Sequence, residues 1–274
     1  MTVLIGLISP VVIGFADHLG ANMGRRGRLM ASILAIYVCT MLSSVALALI
    51  WGGQPTIVDL FLGAGSGLGA SIALVNLYRG YATRGVGIVG PVAAVTGAVI
   101  PIGVDAVLEG LPSGTVGSGM LVGVAAIWLI GLKNPTGEWD RLAVRYGFVA
   151  GVLFGLTATL LGLTSDNSGL WPVVPGRIVA VGTLILLIVV RGDRVKPLKG
   201  TIPRAVIVGL TGAVGLASFT LAAQVNLAIA GLFFQMAYGV TLVFQVIFEG
   251  ERATRLQVVG FGLVVVALAM VILG

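Results

Sequence analysis

Long apolar runs, broken at short intervals by charged residues, glycines and prolines, occupy most of the chain. Their positions predict ten helices, over residues 3–20, 29–50, 57–77, 86–109, 115–132, 142–163, 172–190, 203–224, 227–249 and 256–273. Each run approaches the roughly 20 residues that a helix needs to cross the hydrocarbon of a bilayer. Helix is the expected form because lipid offers no partner to a backbone amide or carbonyl, so each must be satisfied within its own segment. No basic n-region precedes the first run and it has no small-residue cleavage pattern, so it is expected to be a span rather than a removed signal peptide.

Composition sharpens this picture. Hydrophobic residues make up 58 % of the 274 positions and charged ones 9 %, where a soluble domain has about a quarter charged. The fold class expected is therefore all-α integral membrane, with the lipid bilayer as surroundings and no separate soluble domain for catalysis or for nucleic acid.

The net charge of +6 is explained by where the basic residues fall. Arg25, Arg26 and Arg28 follow the first run, Arg79 and Arg84 the third, and Lys133, Arg141 and Arg145 the fifth. Arg191, Arg194, Lys196, Lys199 and Arg204 follow the seventh, and Arg252 and Arg255 the ninth. These are 15 of the 16 basic residues, and Arg177 is the other. Lys and Arg accumulate in cytoplasmic connections, so the odd-numbered connections are expected inside a plasma (inner) membrane and both termini outside.

The halves match at a shift of 140 residues: Val107-Leu108-Glu109-Gly110 closes the fourth run as Ile247-Phe248-Glu249-Gly250 closes the ninth. The chain therefore divides into repeats over residues 1–135 and 136–274. Five spans is an odd number, so the second repeat would be inverted relative to the first, around a central cavity able to open to either side.

With these residues in view, the chain resembles the drug/metabolite transporter superfamily, specifically its ten-helix EamA-type proteins. The resemblance is carried by Ala82 to Glu109, with Pro91 and Pro101 inside the span, and by Ala222 to Glu251, which contains Phe-Glu-Gly-Glu. It implies a ten-helix exporter or exchanger with a cavity formed mainly by spans 1, 3, 4, 6, 8 and 9, YddG-like amino-acid exporters being the nearest branch. It also implies cytoplasmic termini, opposite to the charge count.

Chemistry is sparse. A single cysteine, Cys39, and a single histidine, His18, exclude a disulfide framework and a Cys/His metal site. No Walker sequence is present for nucleotide-driven pumping. Gly85-Val86-Gly87-Ile88-Val89-Gly90 has dinucleotide-fingerprint spacing but opens a membrane span instead of joining a strand to a helix. No cofactor and no covalent reaction are expected, and the leading reading is a secondary transporter that exports small metabolites, amino acids first and amphiphilic cations second. An intramembrane enzyme would need nucleophile-base pairs or clustered metal ligands. The polar face of the ninth run argues against a structural subunit.

Polar groups inside spans mark where a solute would bind. Gln235, Tyr238 and Gln245 recur at helical spacing on one face of the ninth run, and Asn76, Tyr78, Gln224 and Thr157 are added from the third, eighth and sixth. For proton coupling the candidates are Asp17 and His18 at the end of the first span and Asp105 and Glu109, one turn apart, in the fourth. Arg177 is expected to anchor its span at the interface, beside Trp171 and the prolines 172 and 175. Gly63, Gly65, Gly67 and Gly69 are expected to let helices pack closely.

Overall fold

The computed structural model describes residues 6–25, 29–84, 86–131, 141–193, 200–249 and 254–273. They form long helices and, among the described residues, no strand. In chain order these are α1 (Ile8–Arg25), α2 (Leu29–Trp51), α3 (Ile57–Arg84), α4 (Val86–Leu108), α5 (Gly114–Gly131), α6 (Arg141–Gly162), α7 (Val173–Arg191), α8 (Thr201–Ala223), α9 (Leu227–Glu249) and α10 (Arg255–Leu273), with a 3-10 turn at Asp166–Ser168 between α6 and α7. Among the described residues six helices, α2, α3, α4, α6, α7 and α8, are long and apolar enough to cross a membrane. The outward surface fits that setting: Ile50, Phe61, Leu121 and Val190 are 72–82 % exposed, a density of exposed apolar groups that suits lipid and not water. The fold is thus all-helical, membrane-embedded and multi-pass.

The observed helices follow the predicted runs, with extensions at the ends of the first and third: α1 continues past residue 20 to Arg25. The third run was expected to end near residue 77, yet α3 continues to Arg84 and reaches 28 residues, about 42 Å at 1.5 Å per residue. Its last turns carry Tyr78, Arg79 and Tyr81, polar enough to end an apolar run but not to break a helix.

Packing follows a regular scheme. α4 lies on α6 and α1 on α9; α3 lies on α6 and α1 on α8; α3 lies on α7 and α2 on α8. α2 also meets α7, α4 meets α9, and α5 packs against α10. Small residues make the closest of these approaches possible. Gly67 of α3 faces the Gly176 backbone of α7, and Gly63 faces Pro172, so that a Cβ at either position would strike a backbone carbonyl.

The connections α2–α3, α6–α7 and α8–α9 meet at one end. The Gln54 amide donates to Asn167 O at 2.7 Å, and Gly53, at φ 129°, abuts the Ser168 backbone, where a side chain would not fit. Gln224 Nε2 donates to Thr164 Oγ1 at 3.0 Å, Ser168 Oγ at 3.1 Å and Gly169 O at 3.0 Å.

Candidate functional site

α1, α2, α3, α6, α7, α8 and α9 surround a cavity of about 110 Å³. Its polar lining is Asp17, Tyr37, Thr40, Tyr78, Thr157 and Arg177, together with Tyr238, and the rest of its wall is largely aliphatic and aromatic. The resemblance implied a cavity built by spans 1, 3, 4, 6, 8 and 9. Here α2 and α7 also contribute, through Tyr37 and Arg177, while α4 supplies no lining residue among those described.

Asp17 is 9 % exposed, and its Oδ1 accepts a hydrogen bond from the Tyr78 hydroxyl at 3.1 Å. Tyr78 in turn stacks on Tyr81 with ring centroids 6.2 Å apart. Gly20 faces the Tyr78 ring, in the space that a Cβ would fill. A carboxyl one turn from the end of the predicted first span is thereby enclosed, because α1 continues to Arg25 and α3 crosses it with its two tyrosines.

Arg177 departs furthest from its expected place. It was expected at the interface as an anchor, yet it is 7 % exposed and lines the cavity. Its guanidinium carbon lies 5.1 Å from the centroid of the Tyr37 ring, a cation–π distance, and its Nε has no hydrogen-bond partner among the described residues. The physical reason is the α6–α7 connection: a 3-10 turn starts the chain back, α7 begins at Val173, and Arg177 sits inside its second turn, where close approach of α3 at Gly67 and Gly176 draws α7 into the bundle.

Of the predicted substrate-binding set, Tyr78, Thr157 and Tyr238 line the cavity. Thr157 Oγ1 also donates to Ser66 O of α3 at 3.1 Å. Gln235 does not line it: the side chain is fully buried against Gly97 of α4, and among the described residues neither Oε1 nor Nε2 has a partner. Asn76 Nδ2 donates to Ile72 O of its own helix at 2.8 Å, and Gln224 pins the α6–α7 connection as described above. Gln245 lies on α9, but its side chain falls outside the described residues. Thr159, Ser218 and Thr220 donate to carbonyls of their own helices, the commonplace role of hydroxyls in membrane helices.

Of the predicted coupling residues, Asp17 lines the cavity and the other three do not. His18 is buried on the far side of α1, its ring 6.2 Å from Phe244 and 5.8 Å from Phe248. Asp105 is half-buried and accepts the Ala228 amide at the start of α9, a favourable place for a carboxylate. Glu109 is exposed.

Asp59 is the buried acid that sequence reasoning missed. It is 3 % exposed. Oδ2 accepts from the Thr56 amide at 2.8 Å and hydroxyl at 2.9 Å, while the Asp59 amide donates to Thr56 Oγ1 at 3.2 Å. That is a capping box, which the sequence Thr56-Ile57-Val58-Asp59 ahead of an apolar run displays. The same carboxylate accepts from the Ser165 amide and hydroxyl, each at 2.8 Å, and this second role has no local sequence signal.

No family model matches the chain, and no curated protein matches it. Among solved structures, 28 chains match. One of them, described only as the crystal structure of a protein, superposes with a TM-score of 0.75 over 99 % of this chain and 96 % of its own, at 15 % identity. The likeness is one of fold across essentially the whole chain.

Proposed function

We propose that the protein is a secondary transporter that moves a small metabolite outward across the plasma membrane by alternating access around the cavity between α1, α3, α7 and α9. The observation that carries the proposal is the burial of Asp17 and Arg177 in one cavity of a membrane-embedded bundle. Ionisable groups at that depth are costly, and where they occur they mark substrate or ion pathways.

On this reading all ten helices span the bilayer, as two inverted repeats of five, in the manner of the drug/metabolite transporter superfamily. The packing scheme supports the repeat. Exchanging α1–α5 with α6–α10 turns the α4–α6 contact into α9–α1, α3–α6 into α8–α1 and α3–α7 into α8–α2, and it returns α2–α7, α4–α9 and α5–α10 to themselves. The linked α2–α3, α6–α7 and α8–α9 connections form a polar seal at the end that lacks basic connections. Placing the basic connections in the cytoplasm puts that seal, and both termini, outside. Asp17 is the residue through which a proton would be coupled, since it touches both the cavity and Tyr78. Arg177 disfavours a bare amphiphilic cation as the solute.

Counterflow in proteoliposomes tests the proposal. Purified protein preloaded with a metabolite panel should take up labelled solute saturably. In a Cys39→Ser background, a cysteine at Thr40 should react with impermeant reagents from alternate sides as solute is varied. Absence of counterflow across the panel, with Thr40→Cys accessible from one side only, would remove the transporter reading.

A further inference from the structure

We propose that Asp59 and Ser165 form a latch that shuts the cavity toward the end bearing the α6–α7 connection, and that the chain rests with that end closed. That this end faces outside, and that it opens in turn with the other, rests on the transporter reading above. The hold of the latch on the cavity is measurable without any solute.

The α6–α7 connection joins two walls of the cavity. Thr157 and Arg177 line it and stand about one and a half helical turns before and after the connection. What holds the connection in place is divided between the two repeats. Gln224, in the same repeat, gives it three bonds through Nε2 and can move with it. Asp59 and Gln54 belong to the other repeat. Asp59, buried at the start of α3, accepts the Ser165 amide and hydroxyl, each at 2.8 Å, and the Gln54 amide donates to Asn167 O at 2.7 Å. Gly53 abuts Ser168, and Gly169 abuts Gly52, backbone against backbone. A motion that parts the repeats at this end breaks the bonds to Ser165 and Asn167 and leaves those of Gln224 intact. Hydrogen bonds to an ionised acceptor are the stronger kind, so the carboxylate dominates the hold.

The opposite end is built from the opposite charge. Under the exchange of repeats described above, α8 takes the place of α3, and the α1–α2 connection takes that of the α6–α7 connection. α3 opens with Thr56-Ile57-Val58-Asp59, whereas α8 opens with Thr201-Ile202-Pro203-Arg204. Arg204 thus stands where the other repeat has Asp59. The connection it would have to hold is basic in sequence, with Arg26 and Arg28 following Arg25 at the end of α1. Like charges repel, so the counterpart latch does not form. An attraction at one end and a repulsion at the other bias a two-state equilibrium toward the state closed at the Asp59 end.

The test is side-specific labelling of the full-length protein in oriented proteoliposomes. Thr40→Cys in the Cys39→Ser background is the reporter, with an impermeant methanethiosulfonate reagent applied to one side at a time. With the latch intact, labelling from the Asp59 end should be the slower. Ser165→Ala removes one bond of the latch and should raise that rate about tenfold, the factor that about 1.4 kcal/mol produces. Asp59→Asn should raise it at least as much, and Ser165→Thr, which keeps the hydroxyl, should keep the wild-type rate. Thr56→Val loosens the cap of α3 without touching Ser165, so it should lower the melting temperature and leave the labelling rate unchanged, which a merely structural role for Asp59 would not produce. Equal labelling from both sides with the latch intact overturns the inference, and this arm needs no latch variant to fold. Unchanged labelling from the Asp59 end in both Ser165→Ala and Asp59→Asn also overturns it, and counterflow in that case would leave the transporter reading in place. Faster labelling in those variants, with no counterflow of any solute, would support the latch and count against transport.

Discussion

The Tyr78 hydroxyl donates to Asp17 Oδ1 at 3.1 Å across 61 residues of sequence, tying α3 to α1 on the wall of the cavity. Tyr78→Phe removes the donor and leaves a buried carboxyl without that partner. The expected cost is about 1–3 kcal/mol of stability, read as a lower melting temperature in detergent, together with reduced solute exchange. Asp17→Asn keeps an acceptor oxygen and should melt closer to the wild type. Equal melting of Tyr78→Phe and wild type would show that the bond contributes little to the fold.

Asp59 joins the first turn of α3 to the α6–α7 connection through four hydrogen bonds, two from Thr56 and two from Ser165. Asp59→Ala should lower stability by about 2 kcal/mol or more, since it removes a helix cap and orphans buried donors at once. Ser165→Ala removes one of the four bonds and should cost less. Thermal unfolding of both variants checks the order, and a reversed order would contradict the central place given to the carboxylate.

Gln235 offers a prediction of opposite sign. Its amide is fully buried against Gly97 with both polar atoms unpartnered among the described residues, and such a group costs stability that an apolar side chain of similar length does not. Gln235→Met should therefore raise stability, by about 1–3 kcal/mol. A lower melting temperature would mean that the amide is satisfied when the protein sits in its membrane.

Gly67 and Gly176 bring the backbones of α3 and α7 together. Two readings of the glycine face separate here: packing predicts lost folded yield for Gly67→Leu, whereas a sliding surface predicts normal yield with lost transport. Because the added side chain would meet a backbone carbonyl rather than a movable side chain, the folded yield of Gly67→Leu should fall several-fold by size-exclusion chromatography. Normal yield would favour the sliding surface.

The sequence by itself determined the helical, membrane-embedded class and nearly all of the helix positions. Both follow from local causes: apolar runs of span length, and a solvent that forbids unpaired backbone groups. It also marked Tyr78, Thr157 and Tyr238 as polar groups within spans, and these line the cavity. What it could not assign is which side of a helix faces a neighbour, because a span that is apolar all round carries almost no directional signal. The polar face of α9 shows the difficulty. Gln235 and Tyr238 share it by spacing, yet α4 comes close enough at Gly97 to enclose Gln235 while Tyr238 reaches the cavity. Arg177 shows it most clearly. Its position near a span end, beside Trp171 and Pro172, reads as an interface anchor, and only the close approach of α3 and α7 places it in the interior. The pairing of Asp59 with Ser165, 106 residues away, likewise exists only once the helices have packed.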